Sequence, residues 1–407
     1  MRGATAVHRG RWSLQDRLDA MLRKLPFEVA PGTAGITVEL EFDRTQGVLD
    51  LGCLGAAGFR GWSGGARETY TVTADWATPG YLPGELEPGE WNVLLRLHRI
   101  PPGGLDYEVR VRPLGALPAA PPAPAGPDPV PRPAAHARRD IPELDGMRWY
   151  AGDFHSHTVH SDGALNVPEL AALACGQGLD FLAVTDHNTV SHHPELPAAG
   201  AHYGISLLPG QEVTRDDGHA NVFGDTGWVD FRGPADSWYE HARTHGGVMS
   251  VNHPLGGDCA WRLPLADRPR HAEIWHSGWF DRRWGAPLSW AQAWRPDVIA
   301  IGGSDFHREG SDGVPGSPTT WLLAEDDSPS ALLTALAAGR TAVSAGPDAP
   351  LLLRLGDELM LLGAEGTVLV RPDGRREVVH GDRTTLPGGD GPYRLESHEN
   401  EVIALCQ

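Results

Sequence analysis

The chain reads as a multidomain α/β protein: a parallel sheet with its helices, open or closed into a barrel, between β-rich segments. Three observations predict it. Over residues 147–346 apolar strand-like runs alternate with helix-like runs, the pattern of units that build a parallel sheet. Residues 1–112 and 347–407 instead carry short strands broken by Gly and Pro, as antiparallel sheets do. Residues 113–146 lie between the patterns and open with the Pro/Ala-rich run "PLGALPAAPPAPAGPDPVPRPAAHARR", which has little to pack and reads as an extended linker. A length of 407 residues also exceeds one ordinary core.

Each element follows from local pattern. "GITVELEFD", "EWNVLLRLHRI" and "DYEVRVRPL" alternate apolar and polar residues like half-buried strands, and the Pro/Gly turns between them fit a small β-sandwich. After the linker, "RWYAGDFH", "DFLAVTD", "GISLLPGQEV", "HANVFG", "VMSVNH", "HAEIWH", "VIAIGGSDFH" and "TTWLLAE" read as strands. "VPELAALACGQG" sets Val167, Leu170, Ala171 and Ala174 on one helical face and stops at Gly; "PADSWYEHARTHGG" and "PSALLTALAAG" are further helices. The closing strands in "GTVLVRPDGRREVVHG" and "NEVIALCQ" form either a small domain of their own or strands that complete the N-terminal sandwich.

Composition narrows the function classes. The net charge of −19 disfavours a nucleic-acid partner, which needs a basic footprint. The single lysine, Lys24, argues against P-loop or lysine catalysis. No apolar run reaches the ~18 residues of a membrane span, and the N-terminus lacks a signal-peptide core, so a cytoplasmic location is expected. Cys53, Cys175, Cys259 and Cys406 form no C-x-x-C pair and read as buried or free thiols.

Histidine is concentrated. Fourteen of nineteen lie between His155 and His307. Several end predicted strands: "GDFHSH", "VTDHN", "SVNHP", "GGSDFH"; Glu212 ends "LLPGQE" likewise. In parallel α/β folds the carboxyl ends of strands converge on one face, so residues 150 positions apart can share a site. Imidazoles and carboxylates together bind Mn2+, Fe2+ or Zn2+.

This ordered set resembles the PHP (polymerase and histidinol phosphatase) superfamily of metal-dependent hydrolases over residues 148–345, and looks most similar to its carbaryl-hydrolase-like branch. The resemblance implies a distorted (β/α)7 barrel with two or three divalent ions. His155, His157, Glu212 and Asp305 would hold one ion. Glu212, His219 and His253 would hold a second. Asp162, His187 and His307 would hold a third. Three such ions exceed the charge of their three carboxylates, which favours an anionic small-molecule substrate.

Other residues flank these. His160 is left out of the ligand set, and Asp186 is read as orienting neighbours. Asn188, Asn221 and Asn252 could bond substrate or backbone. His276, at the end of "HAEIWH", suits a proton donor to a leaving group. Arg308 and Arg262 could grip a phosphate or carboxylate. His192 and His193 are expected to be exposed. Cys259 has no base paired with it, and Trp261, Trp275 and Trp279 would suit an aromatic leaving group. The expected reaction is hydrolysis of a small phosphoester by metal-activated hydroxide. The same centre could instead cleave a carbamate, ester or amide, or stabilise an inactive binding module. The oligomeric state stays open.

Overall fold

The computed structural model describes residues 5–130, 141–279, 283, 285–310 and 313–406, and the chain falls into two compact units. Residues 131–140 of the expected linker lie outside the described residues.

The first unit holds the chain up to Pro124 with two later loops, Val159–Asp162 and His187–His192. Its strands are β1 (Ala6–Trp12), β2 (Leu22–Val29), β3 (Gly35–Phe42), β4 (Val48–Gly55), β5 (Gly58–Gly64), β6 (Thr69–Thr73), β7 (Gly89–Arg99) and β8 (Leu105–Leu114). A short helix, α1 (Leu14–Asp19), starts at a capping box between Ser13 and Asp16. Two antiparallel sheets form, ordered β1-β8-β3-β6 and β2-β7-β4-β5. Alternate residues of both, Ile36, Val38 and Leu40 of β3 with Val93, Leu95 and Leu97 of β7, share one core, as in a β-sandwich.

The second unit contains β9 (Arg148–Asp153), α2 (Val167–Gly176), β10 (Phe181–Val184), α3 (Leu196–Tyr203), β11 (Ser206–Arg215), β12 (Gly218–Phe223), α4 (Ala235–Thr244), β13 (Val248–Val251), β14 (His271–His276), α5 (Gly285–Trp294), β15 (Ile299–Gly303), β16 (Thr319–Ala324), α6 (Pro329–Ala337) and β17 (Thr341–Ser344). The helix α2 begins at Asn166, which forms a capping box with Glu169, and buries Val167, Leu170, Ala171 and Ala174. Helices α3 and α5 are not legible in the sequence. "LPAAGAHY" has too little apolar contrast to show a face, and its helix is set by burial of Leu196, Ala199 and Tyr203.

One sheet runs β15-β14-β13-β12-β11-β10-β9-β16-β17 and continues into C-terminal strands. Strands β9, β10 and β11 are parallel, as are β13, β14 and β15, but β12 is antiparallel to both neighbours. The expected closed barrel is not found. β15 is the last strand of the ladder. Its Gly302 N–H donates to Thr320 Oγ1 at 2.7 Å, and that hydroxyl donates to the Gly302 carbonyl at 3.1 Å. A side chain thus occupies backbone groups that a further strand would need. Thr341 Oγ1 bonds the Ala300 carbonyl in the same way at 3.1 Å.

The C-terminal segment extends this unit's own sheet. Seven strands follow: β18 (Leu351–Leu355), β19 (Glu358–Leu362), β20 (Val368–Val370), β21 (Arg376–Val378), β22 (Arg383–Pro387), β23 (Tyr393–Glu396) and β24 (Val402–Cys406). β24 pairs with β17 and carries β23, β20 and β21 beyond it, while β18, β19 and β22 form a separate small sheet.

His192 and His193 are not exposed, against expectation. His192 is fully buried, and the His193 ring bonds the Gly210 carbonyl at 3.0 Å. A loop string with Pro looks solvated, but hydrogen bonds made by its neighbours fold it inward.

Burial shapes one pH response. His271, at the start of β14, bonds the Leu336 carbonyl at 2.8 Å and is 7% exposed. Burial pulls its imidazole down to about 4. The unfolded chain therefore binds more protons between pH 6.5 and pH 4, and stability falls as pH drops through that window. The loss from this residue is up to about 3 kcal/mol. Denaturant titrations at pH 7 and pH 4.5 should show His271→Asn losing less stability on acidification than the parent protein.

Candidate metal centre

The end of β9 is knotted to the end of β15 by Asp153. Its fully buried carboxyl accepts N–H bonds from His155 at 3.0 Å, Ser304 at 3.1 Å and Gly316 at 2.8 Å. Burial raises its proton affinity despite those bonds. The chain leaving β9 then pairs in parallel with the chain leaving β15, Ser156 opposite Phe306, joined by His157 N–H to the Phe306 carbonyl at 2.9 Å. Two segments distant in sequence thus run side by side, carrying His155 and His157 on one and Asp305 and His307 on the other.

His155 is the hub. Its ring is fully buried, and Nδ1 lies 2.8 Å from Glu273 Oε1. A carboxylate oxygen only accepts, so Nδ1 carries a proton and Nε2 is the nitrogen that could face an ion once its own proton is displaced. That Nε2 faces Glu212 Oε1 at 3.3 Å and Asp305 Oδ1 at 3.1 Å, yet makes no well-formed hydrogen bond. Burial opposes a charge on the imidazole, but Asp305, Glu273 and Glu212 outweigh it and hold His155 well above its ordinary proton affinity. Three carboxylates around one imidazole favour a positive charge there, and a ring nitrogen aimed among carboxylate oxygens matches the donor set of Zn2+, Mn2+ or Fe2+.

Glu273 was not anticipated by sequence. It lies inside β14, fully buried, between Ala272 and Ile274, and its second oxygen accepts the His253 N–H at 2.8 Å. A carboxylate in the middle of an apolar strand was the available signal. Gly303 on β15 makes room for it: a Cβ there would lie 2.7 Å from the His155 Cβ.

Glu212 gathers the next group. Its Oε1 accepts Asn252 Nδ2 at 2.8 Å and lies 3.1 Å from His219 Nδ1 and 3.3 Å from His253 Nε2. Asn252 therefore orients Glu212, and Asn221 donates to the Phe154 carbonyl at 3.1 Å. Cys259 Sγ stands 3.4 Å from His253 Nδ1, a neighbour the sequence did not assign. The antiparallel turn between β11 and β12 brings His219 beside Glu212, its partner seven positions earlier.

Asp305 gathers the rest. His157 Nε2 lies 2.9 Å from Oδ1, and His276 Nε2 lies 3.3 Å from Oδ2. Burial opposes ionisation of Asp305, but the imidazoles of His155 and His157 keep its carboxyl well below the usual range. His307 stacks on His157 with ring centroids 4.2 Å apart, and its Nδ1 donates to the Asp305 carbonyl at 2.8 Å, leaving Nε2 for a ligand role. His276 differs. Its Nδ1 accepts the Gly278 N–H at 3.0 Å, so the neutral ring keeps its proton on Nε2. That tautomer donates a proton and does not ligate through Nε2.

Asp305 and His253 take positive φ, +53° and +24°. Such backbone costs on the order of 1–3 kcal/mol at a non-glycine residue and persists where function requires it. Asp162 and His187 face each other at 3.6 Å within the first unit. Asp186 accepts from Thr158 N at 2.8 Å and Oγ1 at 2.6 Å. Arg308 and Arg262 are exposed, and the Arg262 guanidinium donates to the Asp216 carbonyl. Trp275 and Trp279 are packed in the core.

Residues 153–253 match the PHP domain. The matched span runs from Asp153 to His253 and includes His155, His157, Glu212 and His219. Curated relatives are similar over short stretches. A 5'-3' exoribonuclease of Haemophilus influenzae is 39% identical over 62 residues, 15% of this chain and 23% of that protein. A PolC-type DNA polymerase III of Staphylococcus aureus is 39% identical over 69 residues, 16% of this chain and 5% of that protein. The chain thus spans under a quarter of the length of these relatives. Among solved structures, a two-domain protein of Bacteroides vulgatus, described as containing a predicted PHP-like metal-dependent phosphoesterase, aligns at 19% identity. It covers 66% of this chain and 89% of that one, with TM-score 0.40. An amidohydrolase from Chromobacterium violaceum aligns at 18% identity over 39% of this chain and 88% of that one, with TM-score 0.30.

If Glu273 sets the His155 tautomer in the PHP domain, Glu273→Gln should weaken metal binding by about 10–100-fold. Titration with Mn2+ or Zn2+ followed by calorimetry checks this, with circular dichroism as the fold control. Binding should also weaken as pH falls, because the cation displaces a proton from His155.

Proposed function

We propose that this chain is a metal-dependent hydrolase that cleaves a small, anionic phosphoester in the cytoplasm. The observation that carries the reading is the convergence of His155, Glu212 and Asp305, with His155 Nε2 directed at both carboxylates, in a chain whose residues 153–253 match the PHP domain. His155, His157, Glu212 and Asp305 would hold one ion, and Glu212, His219 and His253 a second. A third would draw on Asp162 and His187. Divalent ions of this kind supply, when bound, Lewis acidity toward a phosphoryl group and a lowered pKa for water.

The protein's own groups do the rest. Glu273 and Asn252 fix His155, His253 and Glu212 before substrate arrives, which spares reorganisation during reaction. His276 holds a proton at Nε2 beside Asp305, so it can protonate a leaving oxygen. Arg308 and Arg262 sit at exposed positions, and the Arg262 guanidinium already donates to the Asp216 carbonyl, so the charge that would recognise phosphate comes chiefly from the ions. The curated relatives' names point to nucleic acid, but a net charge of −19 favours a small substrate over a polyanion.

The alternative hydrolysis of a carbamate, ester or amide uses the same centre. Trp275 and Trp279 are packed in the core and Trp261 is half-buried against it, but the Trp279 ring stands 5.6 Å from that of His276, so this second reading keeps one aromatic contact at the site.

A screen of the protein loaded with Mn2+, Fe2+ or Zn2+ against phosphoesters, aryl carbamates and aryl esters should find phosphoester turnover; carbamate turnover alone would reverse the choice. Metal analysis should give two or three ions per chain, and fewer than two would remove the multinuclear reading. A loaded protein inert to every class would favour a binding module. His276→Asn should lower kcat by about 10²–10⁴-fold on alkyl phosphoesters, much less on p-nitrophenyl esters, whose leaving group needs no proton, and should leave metal content unchanged.

A further inference from the structure

The two loops that pack in the first unit, Val159–Asp162 and His187–His192, meet the β-sandwich around the Gly80 turn. Gly80 lies in the connection between β6 and β7. Its N–H donates to Ser191 Oγ at 2.9 Å, and its carbonyl accepts Thr189 Oγ1 at 3.0 Å and the Trp62 N–H at 2.9 Å. Ser191 Oγ also reaches His160 Nδ1 at 2.7 Å, so one hydroxyl ties both loops to the same turn. Arg67 on the sandwich adds a guanidinium bond to the Val159 carbonyl and another to the Pro79 carbonyl at 3.2 Å.

The junction is dense and specific. His160, Thr189 and His192 are at most 4% exposed, and the His160 and His192 rings meet edge to face at 5.9 Å. Gly80 has φ +97°, and a Cβ on it would lie 2.8 Å from the carbonyl oxygens of His160 and Trp62. Only glycine fits there. Each loop ends on a candidate ligand: Asp162 closes the first, His187 opens the second, and their side chains stand 3.6 Å apart.

We infer that the N-terminal β-sandwich is a positioning element for metal binding. Its Gly80 turn, through Ser191 and Thr189, fixes the separation of Asp162 and His187 and so sets the affinity for the ion that this pair helps to hold. The inference rests on the proposed metal-ligand role of the pair. His160, Ser191, Thr189, Arg67 and Gly80 are positioning residues in this scheme.

The test uses the full chain and reads bound metal. Ser191→Ala and Gly80→Ala are compared with parent protein and with His187→Ala, by metal analysis after dialysis and by Mn2+ titration. The expected result is that parent protein binds one more ion than His187→Ala, and that Ser191→Ala and Gly80→Ala weaken that same ion by about 10–100-fold while the other sites keep their affinity. Ser191→Ala adds no strain, so it still reports if Gly80→Ala folds poorly; far-UV circular dichroism and melting separate the cases. Full affinity in a folded Ser191→Ala variant would overturn the inference. Equal metal content in parent and His187→Ala would instead overturn the ligand reading beneath it.

Discussion

The buried contact between Glu273 and His155 organises the site. It forces the proton of His155 onto Nδ1 and turns Nε2 toward Glu212 and Asp305. The other oxygen of Glu273 holds the His253 backbone. One carboxylate thus aligns ligands from the ends of two strands, β9 and β13. Burying so many acidic and imidazole groups is costly unless a cation compensates. The elevated proton affinity of His155 and the depressed one of Asp305 are two sides of that demand.

Rigid support surrounds this contact. Asp153 spends three N–H bonds on joining the start of the His155 segment to Ser304 and Gly316. Asp305 and His253 accept left-handed backbone, which neighbouring strands must hold in place. The tautomer of His276 is fixed by a backbone N–H rather than by a carboxylate, which sets it apart from His155. Residue identity alone cannot make that distinction, because both roles use imidazole.

Much of the architecture was legible in the sequence. Strand ends carrying His155, His157, His253 and Asp305 stood out because apolar runs stop abruptly at polar residues, whereas Glu212, expected at a strand end, lies inside β11. The helix α2 was clear from its apolar face and its Gly stop. The open ladder was not, because Thr320 and Thr341 bond backbone groups of β15 through side chains, and no periodicity records that. The burial of His192 and His193 was hidden likewise, since "SHHPEL" gives no sign that Gly80, more than a hundred residues earlier, bonds Ser191 and Thr189.

By itself the sequence determined the residue types of the site, the order in which strands deliver them and the acidic charge that argues against a polyanionic partner. These follow from local composition and spacing, which act over a few residues. Tertiary structure alone decided which ring nitrogen is free, that Glu273 is a partner of His155, that His276 keeps its proton and that C-terminal strands extend the second unit's sheet. Those outcomes depend on hydrogen bonds between groups far apart in the chain, and only folding brings such groups within reach.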